Sequence, residues 1–330
     1  MTKKAGTWRN LILGEILVTH IFIINPYSGQ SSLADDLRES LSRIEGLNYY
    51  VFNTRCAGYE KDLVGKILHF FRGEKLRFYC CGGSGTMRNM LCGFDDLSDA
   101  EVAFFPCGMT NDFLKVFGAE AERFKNIEEL INGDVIKVDY IKTNCGCALN
   151  TISLGLDSEV QQLTDNYRAL QIFSDSLPYT VSLIRSLFLS KLHSYEFEID
   201  DKRYSEYTTE TIFGNGIFLG GNLYFSNSDN IFDGKGGFIR AGKMSVVKEI
   251  KVVASLIKRD LDYCSKKCSC GEFHKFRLRR TGGKSFWVNF DGEIQKVEKQ
   301  LEAKIVRQGL NFVVPKGIKA PGGKEVSCNE

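Results

Sequence analysis

Four compact apolar runs in the first third of the chain, separated by segments of helical period, constrain the fold more than any other feature. The runs are Val18–Ile24, Tyr49–Phe52, Phe78–Cys81 and Val102–Phe105. Between them Leu33, Leu37, Leu41 and Ile44 recur at helical spacing behind the cap candidates Ser31 and Ser32, as do Leu63, Ile67, Leu68 and Phe71. Runs without polar alternation suit strands buried on both faces of a parallel sheet, whose connections must be crossovers. A helix over Asn126–Ile131, stopped at Asn132-Gly133, closes the unit. An α/β domain with a parallel sheet is therefore predicted over residues 16–135.

Beyond Asp134 the pattern shifts to short strands: Tyr195–Ile199, Glu210–Phe213, Phe273–Leu278, Phe286–Phe290, Leu301–Val306 and Leu310–Val314. Helical stretches around Leu177–Phe188 and Met244–Ile257 interrupt them. Residues 136–330 read as a mainly antiparallel β domain, with a cleft between the two domains and the extreme C-terminus packing back on the first.

Charge and composition exclude several classes. Lys and Arg total 43 against 41 Asp and Glu, a balance that argues against a nucleic-acid binder. No window supplies the roughly 18–20 apolar residues of a spanning helix. Leu11–Ile24 is broken by Glu15 and His20 and runs into Asn25-Pro26. It follows Lys3, Lys4 and Arg9, but no small-residue cleavage site follows, so a buried strand fits better than a signal peptide. The 11 cysteines show no disulfide framework, and Cys80, Cys81, Cys92 and Cys107 sit in apolar or glycine-rich settings. A soluble, unexported chain in a reducing, cytoplasmic compartment is expected.

In an open parallel sheet, ligands bind beyond the carboxyl ends of the strands. Three polar, glycine-containing loops fall there: Asn25-Pro26-Tyr27-Ser28-Gly29, Gly82-Gly83-Ser84-Gly85-Thr86, and Pro106-Cys107-Gly108-Met109-Thr110-Asn111-Asp112-Phe113. Glycine lets backbone N–H groups approach phosphate oxygens, and the next helix N-terminus adds donors and a favourable dipole. One such loop is explained by the geometry of a tight turn. Three in one sheet point to phosphate.

The order Asn-Pro-x-Ser-Gly, Gly-Gly-x-Gly-Thr, Pro-x-Gly-x-x-Asn-Asp-Phe resembles the diacylglycerol kinase catalytic-domain family, and within it the soluble bacterial lipid kinases, related to sphingosine kinases and NAD kinases. Asn150-Thr151-Ile152-Ser153-Leu154-Gly155-Leu156-Asp157, Gly220-Gly221-Asn222 with Asp233-Gly234, and Asp291-Gly292-Glu293 extend the resemblance over roughly Val18 to Pro315. It implies a Rossmann-like first domain, an antiparallel second domain, and transfer of the γ-phosphoryl of ATP to a lipid hydroxyl with Mg²⁺. By motif, Asn25, Ser28, Thr54, Gly82, Gly83, Gly85, Thr86, Asn111 and Asp112 would line the nucleotide site. Asp233 would hold a structural Mg²⁺ with the carbonyls of Asn230 and Lys235. Glu293 would be the general base. The implied setting is a cytoplasmic protein working at the membrane surface on a lipid substrate; a homodimer is compatible with the sequence.

This chain departs from the family pattern at chemically important places. Ser84 stands where the family has Asp, a position otherwise tied to Mg²⁺ and the phosphates or to base catalysis. Asn89 replaces a Glu, Met109 a Thr, Asn222 the third Gly, and Asn227 and Asp229 a Pro and an Ala. Ser84 could ligate Mg²⁺ but carries no charge. Three readings follow: a lipid kinase, a homologue that binds nucleotide or lipid without turnover, and a kinase of a soluble dinucleotide or polyol.

Asp291-Gly292 and Asp233-Gly234 are also ordinary turn dipeptides, so each has a plain structural reading. Cys264, Cys268, Cys270 and His274 invite a zinc reading, but their spacing departs from paired Cys-x₂-Cys and favours a loop of free thiols. Cys145 and Cys147 read as neighbours on one strand. His20 and His69 read as a strand and a helix residue without a catalytic partner.

Overall fold

A computed structural model describes residues 2–4, 18–28, 32–56, 58–108, 111–155, 192–220, 223–226 and 230–318. The expected helix at Leu177–Phe188 lies outside the described residues, as do Leu11–Leu17 of the first apolar stretch, Gly29, Ser31, Met109, Thr110, Leu156, Asp157, Gly221, Asn222, Asn227 and Asp229. The chain divides into two compact units, one of described residues up to Val138 and from Gln308 on, the other Asp139–Arg307.

The first unit is built on the predicted apolar runs. Strands β1 (Thr2–Lys4), β2 (Thr19–Ile24), β3 (Tyr49–Asn53), β4 (Leu76–Gly82) and β5 (Glu101–Pro106) alternate with helices α1 (Ser32–Arg43), α2 (Tyr59–Phe70) and α3 (Ser84–Leu91). The strands lie in the order β1-β3-β2-β4-β5, all parallel except β1. Every residue of β2 and β5 is buried, as unbroken apolar runs require. Phe22 stacks on Tyr79 at 4.2 Å between ring centroids.

After β5 the chain makes a 3-10 helix, Asp112–Lys125, broken at Gly118 with φ 58°, and then α4 (Ile127–Ile131). Asn126 caps α4 by accepting the N–H groups of Glu128 and Glu129. At its other end, Arg77 donates to the carbonyls of Ile131 and Gly133 at 2.9 and 3.2 Å, and pairs with Glu101 at 2.6 Å.

The second unit is mostly antiparallel. Its strands are β6 (Asp134–Thr143, entered from the first unit), β7 (Gly146–Ala148), β8 (Thr151–Gly155), β9 (His193–Ile199), β10 (Lys202–Gly214), β11 (Phe218–Leu219), β12 (Leu223–Tyr224), β13 (Gly236–Gly242), β14 (Ser269–Phe273), β15 (Lys275–Arg280), β16 (Phe286–Phe290) and β17 (Glu293–Val297). Helices α5 (Val246–Ile257) and α6 (Leu261–Ser265) lie between β13 and β14. Alternate residues of β9 and β15 point inward, and Phe213 stacks on Phe276 at 3.7 Å in a core with Phe197, Phe273 and Phe290. A second cluster, with Ile212, Phe225, Ile239, Val252 and Leu256, packs the inner face of α5.

Two expected elements change. Phe273–Leu278 is not one strand, because Asp200, in a left-handed turn at φ 50°, accepts the N–H groups of His274 and Lys275 at 3.0 Å. The segment before the break pairs with β13, and the segment after it pairs with β9. Conversely, Leu301–Val306 and Leu310–Val314 form a single strand, β18 (Gln300–Val314). Its first residues pair antiparallel with β15 in the second unit, and Asn311–Val313 pair parallel with β5 in the first. Gln308, at φ 49°, bends the strand instead of ending it.

Candidate functional site

The order β3-β2-β4-β5 places a topological switch between β2 and β4, since the chain leaves β2 in one direction for β3 and returns past it to β4. Open α/β sheets bind ligands at such a point, beyond the carboxyl ends of the strands. Register brings the loops together there. Ile24 sits opposite both Asn53 and Cys81, and Gly82 opposite Pro106, so the strand-end loops start nearly level.

Their contacts follow from that register. Asn25 Nδ2 donates to Thr86 Oγ1 at 3.0 Å, tying the first loop to the second. The N–H groups of Cys107 and Gly108 donate to the Gly82 carbonyl at 2.9 and 3.2 Å, tying the third loop to the second. Thr54, buried, donates its N–H to the Ile24 carbonyl at 2.9 Å. Gly83 and Gly108 pass so closely that a Cβ on Gly108 would meet Gly83 Cα at 2.5 Å. A Cβ on Gly83 would stand 3.5 Å from Ser28 Oγ. Asn25, Ser28, Thr54, Gly82, Gly83, Thr86 and Asn111 are thereby linked, directly or through a neighbour, around one strand-end region; Gly85 is in the first turn of α3.

The helix N-terminus here offers backbone donors to an anion, and the loop side chains add mainly neutral oxygens. Gly83 is the N-cap of α3, and the half-buried Ser84 is the first residue of that helix. Asn111 donates Nδ2 to the Gly108 carbonyl at 2.8 Å, while its buried Oδ1 has no hydrogen-bond partner among the described residues. Asp112 is buried, and its carboxylate lies 2.7 Å from Lys115 Nζ, so this acid is already neutralised. Asn89, buried in α3, accepts from Arg88 at 3.2 Å. Burial pushes the Cys107 thiol up to about 11, which leaves this loop cysteine protonated at neutral pH.

In the second unit, Asp291-Gly292 forms a two-residue hairpin loop between β16 and β17, with φ of 51° and 93°. Asp-Gly is the dipeptide such a turn demands. Glu293 follows as the first residue of β17, opposite Phe290 and half-buried. Asp291 is itself buried, and its carboxylate accepts the N–H groups of Leu149, Asn150 and Thr151 at 2.6, 3.0 and 2.7 Å. Next to this clamp, Asn215 Nδ2 donates to the carbonyls of Asp139 and Leu149 at 2.7 and 3.0 Å.

Asp233 Oδ1 accepts the Lys235 N–H at 2.9 Å, and Asn230 Oδ1 accepts the Phe232 N–H at 3.1 Å, both closing local turns. The Lys235 ammonium pairs with Glu272 at 3.0 Å. Asp139, fully buried, accepts the Gly234 N–H at 2.6 Å. Among the described residues, no group of three or more His, Cys, Asp or Glu is arranged to hold a metal ion. Asp139, Asn215 and the clamping role of Asp291 have no counterpart in the sequence reading. The signal for Asp291 was available, as the acid of a motif already singled out.

The cysteine loop holds free thiols. Cys264, Cys268 and Cys270 hydrogen-bond among themselves, whereas His274 Nδ1 faces Asp200 at 3.5 Å. Cys145 lies in the turn before β7 and only Cys147 is in that strand, so the two do not share one. His20 does have a partner: its Nδ1 and the Tyr79 hydroxyl share a 2.7 Å hydrogen bond. Burial, helped by the Arg77 charge, pushes His20 down to about 4. A groove of about 390 Å³ on the second unit is lined by Lys142, Lys275 and Lys304 and by Arg277, which lies 3.0 Å from Glu302 and 3.9 Å from Glu198.

The strand-end region lies within the part of the chain that a known family model matches. Residues 19–143 match the family model of the diacylglycerol kinase catalytic domain. The resemblance carried by the loop motifs therefore holds. A Staphylococcus aureus (strain MSSA476) protein named "Putative lipid kinase" is 32% identical over 197 residues, which is 58% of this chain and 59% of that protein. A counterpart from strain JH9 is 31% identical over the same length. The chain thus matches about three-fifths of the length of these curated relatives. A crystal structure titled "putative diacylglycerol kinase", from Bacillus anthracis strain Sterne, superposes with a TM-score of 0.71 at 18% identity, covering 91% of this chain and 96% of that one. A second diacylglycerol kinase structure from the same organism gives 0.63 at 15% identity, covering 91% and 98%. These structures share the fold: a parallel α/β unit followed by an antiparallel β unit.

Proposed function

We propose that this chain is a lipid kinase of the diacylglycerol kinase type, transferring the γ-phosphoryl of ATP to a lipid hydroxyl at a membrane surface. The convergence of three glycine-containing loops and Thr54 at the switch point of the parallel sheet carries this reading. Asn25, Ser28, Thr54, Gly82, Gly83, Gly85, Thr86 and Asn111 are the nucleotide-binding residues in it. Backbone N–H groups and the α3 N-terminus offer the donors that a triphosphate needs. The acceptor hydroxyl oxygen attacks the γ-phosphorus, its proton passes to the Glu293 carboxylate, and ADP leaves with the bridging oxygen. Mg²⁺ bound with the nucleotide would supply charge neutralisation. Ser84 Oγ is the neutral oxygen this chain offers it there, and Asp233 with the Asn230 and Lys235 carbonyls is the proposed structural cation site.

One observation favours a second reading, in which nucleotide binds without turnover. Ser84 and Asn89 stand where the family has acids, and the remaining loop carboxylate, Asp112, is paired with Lys115. Losing an interaction made mainly in the transition state costs about 2–4 kcal/mol.

A transfer assay separates the two readings. Purified protein is incubated with labelled ATP, Mg²⁺ and a panel of lipids including diacylglycerol, alongside Ser84→Asp and Glu293→Ala. The kinase reading expects transfer by the wild type, abolished by Glu293→Ala. Transfer appearing only in Ser84→Asp supports binding without turnover. Failure to bind an ATP analogue at millimolar concentration, measured by calorimetry, removes both.

A further inference from the structure

Helix α5 (Val246–Ile257) is apolar on two sides. One side, with Val252 and Leu256, is buried in the core of the second unit. On the other, Val247, Ile250, Ala254 and Ile257 follow one another at intervals of three, four and three residues, which places them in one stripe along the helix. The large residues of this outer stripe are exposed to solvent, Val247 by 63%, Ile250 by 44% and Ile257 by 53%. A helix needs only one apolar stripe to pack on a core, so packing among the described residues leaves the second one unexplained.

Charge around the stripe says what covers it. Lys243, Lys248, Lys251 and Lys258 are all exposed, and the sole acid between residues 243 and 258, Glu249, is buried. A chain with a net charge of only +2 thus places four lysines in and around this helix, with Lys251 and Lys258 at the edge of the apolar stripe. We propose that the outer face of α5 is a membrane-docking surface, which lays Val247, Ile250 and Ile257 into the headgroup–acyl boundary of an anionic bilayer while its lysines meet lipid phosphates. This deepens the lipid-kinase reading by naming the surface through which the chain meets its substrate's bilayer, and it rests on that reading for its biological sense.

Vesicle cosedimentation without ATP tests it on the full chain. Wild type is expected to partition onto equimolar phosphatidylglycerol–phosphatidylcholine vesicles at least ten-fold more strongly than onto pure phosphatidylcholine, with the difference lost at high salt. Ile250→Glu should lower partitioning about ten-fold, and Lys251→Ala and Lys258→Ala about five-fold each. All three positions are exposed, and unchanged circular dichroism and melting temperature will show that the variants fold. No binding to anionic vesicles, or equal binding to both kinds, overturns the proposal. So does a wild-type dimer in sedimentation velocity that Ile250→Glu dissolves without any change in vesicle binding. Because no phosphoryl transfer is read, vesicle binding by a protein with no kinase activity would sink the kinase reading and leave the surface standing.

Discussion

The carboxylate of Asp291 accepts the backbone N–H of Thr151 at 2.7 Å, across 140 positions of sequence. With Leu149 and Asn150 as further donors, one buried acid fixes the entrance to β8 against the loop that presents Glu293. Removing it strands three buried N–H groups. Asp291→Ala should destabilise the protein by about 3 kcal/mol, and Asp291→Asn by less, because the amide can still accept. Urea denaturation of both variants measures this; an unchanged midpoint would show that the carboxylate does not hold the turn.

Gly108→Ala tests the closeness of the strand-end loops. The added Cβ would stand 2.5 Å from Gly83 Cα and 3.2 Å from Gly83 N, so the backbone of one loop must move. Affinity for an ATP analogue, measured by calorimetry, should fall at least ten-fold, while Gly65→Ala, with nothing within 4 Å, should leave it unchanged. Equal affinity in wild type and Gly108→Ala would separate the loops from nucleotide binding.

Acid should destabilise the first unit through His20. Burial and Arg77 hold its pKa near 4 against 6.5 for an unburied histidine. Between those values the unfolded chain binds a proton that the folded chain excludes, so stability falls as pH drops through the window and levels off below it. The loss attributable to this group is about 3 kcal/mol. His20→Gln, which can still hydrogen-bond Tyr79, should flatten that part of the stability–pH curve; an unchanged slope would rule out His20 as its source.

Arg77 joins two jobs, neutralising Glu101 and capping the last carbonyls of α4, those of Leu130 and Ile131. Burial alone would push Glu101 up, but Lys75 and Arg77 outweigh it and hold the carboxyl below its ordinary value. Arg77→Met should cost about 3–5 kcal/mol by leaving a part-buried acid with weaker compensation. Arg77→Met/Glu101→Gln should recover part of that loss in thermal melts, and no recovery would argue against the pair.

The parallel sheet was legible because strands covered on both faces must be apolar at every position, as β2 and β5 are. Its switch point was not, since strand order is absent from any local pattern. Strand β13 escaped notice because Gly236, Gly237 and Gly242 make it read as a loop, although Phe273 and Ser226 press against the first two where side chains would be. The 3-10 helix after Asn111 was hidden by the break at Gly118. Asp291 stood in a recognised motif, yet its work depends on partners at Leu149–Thr151 that no spacing rule connects to it. The loops could be read as residues, but their convergence needed the register.

Strand β18 fixes an order of manufacture. The first unit takes its edge beside β5 from Asn311–Val313, where Phe312, fully buried, meets Phe113 at 5.4 Å and Phe124 at 6.1 Å. On the ribosome, that edge stays open until the whole of Asp139–Arg307 has been translated. A fragment ending at Val138 would carry every nucleotide-site residue proposed for the first unit and still display an unpaired strand edge, a surface prone to aggregation. The half of the molecule that begins first is the half that is finished last.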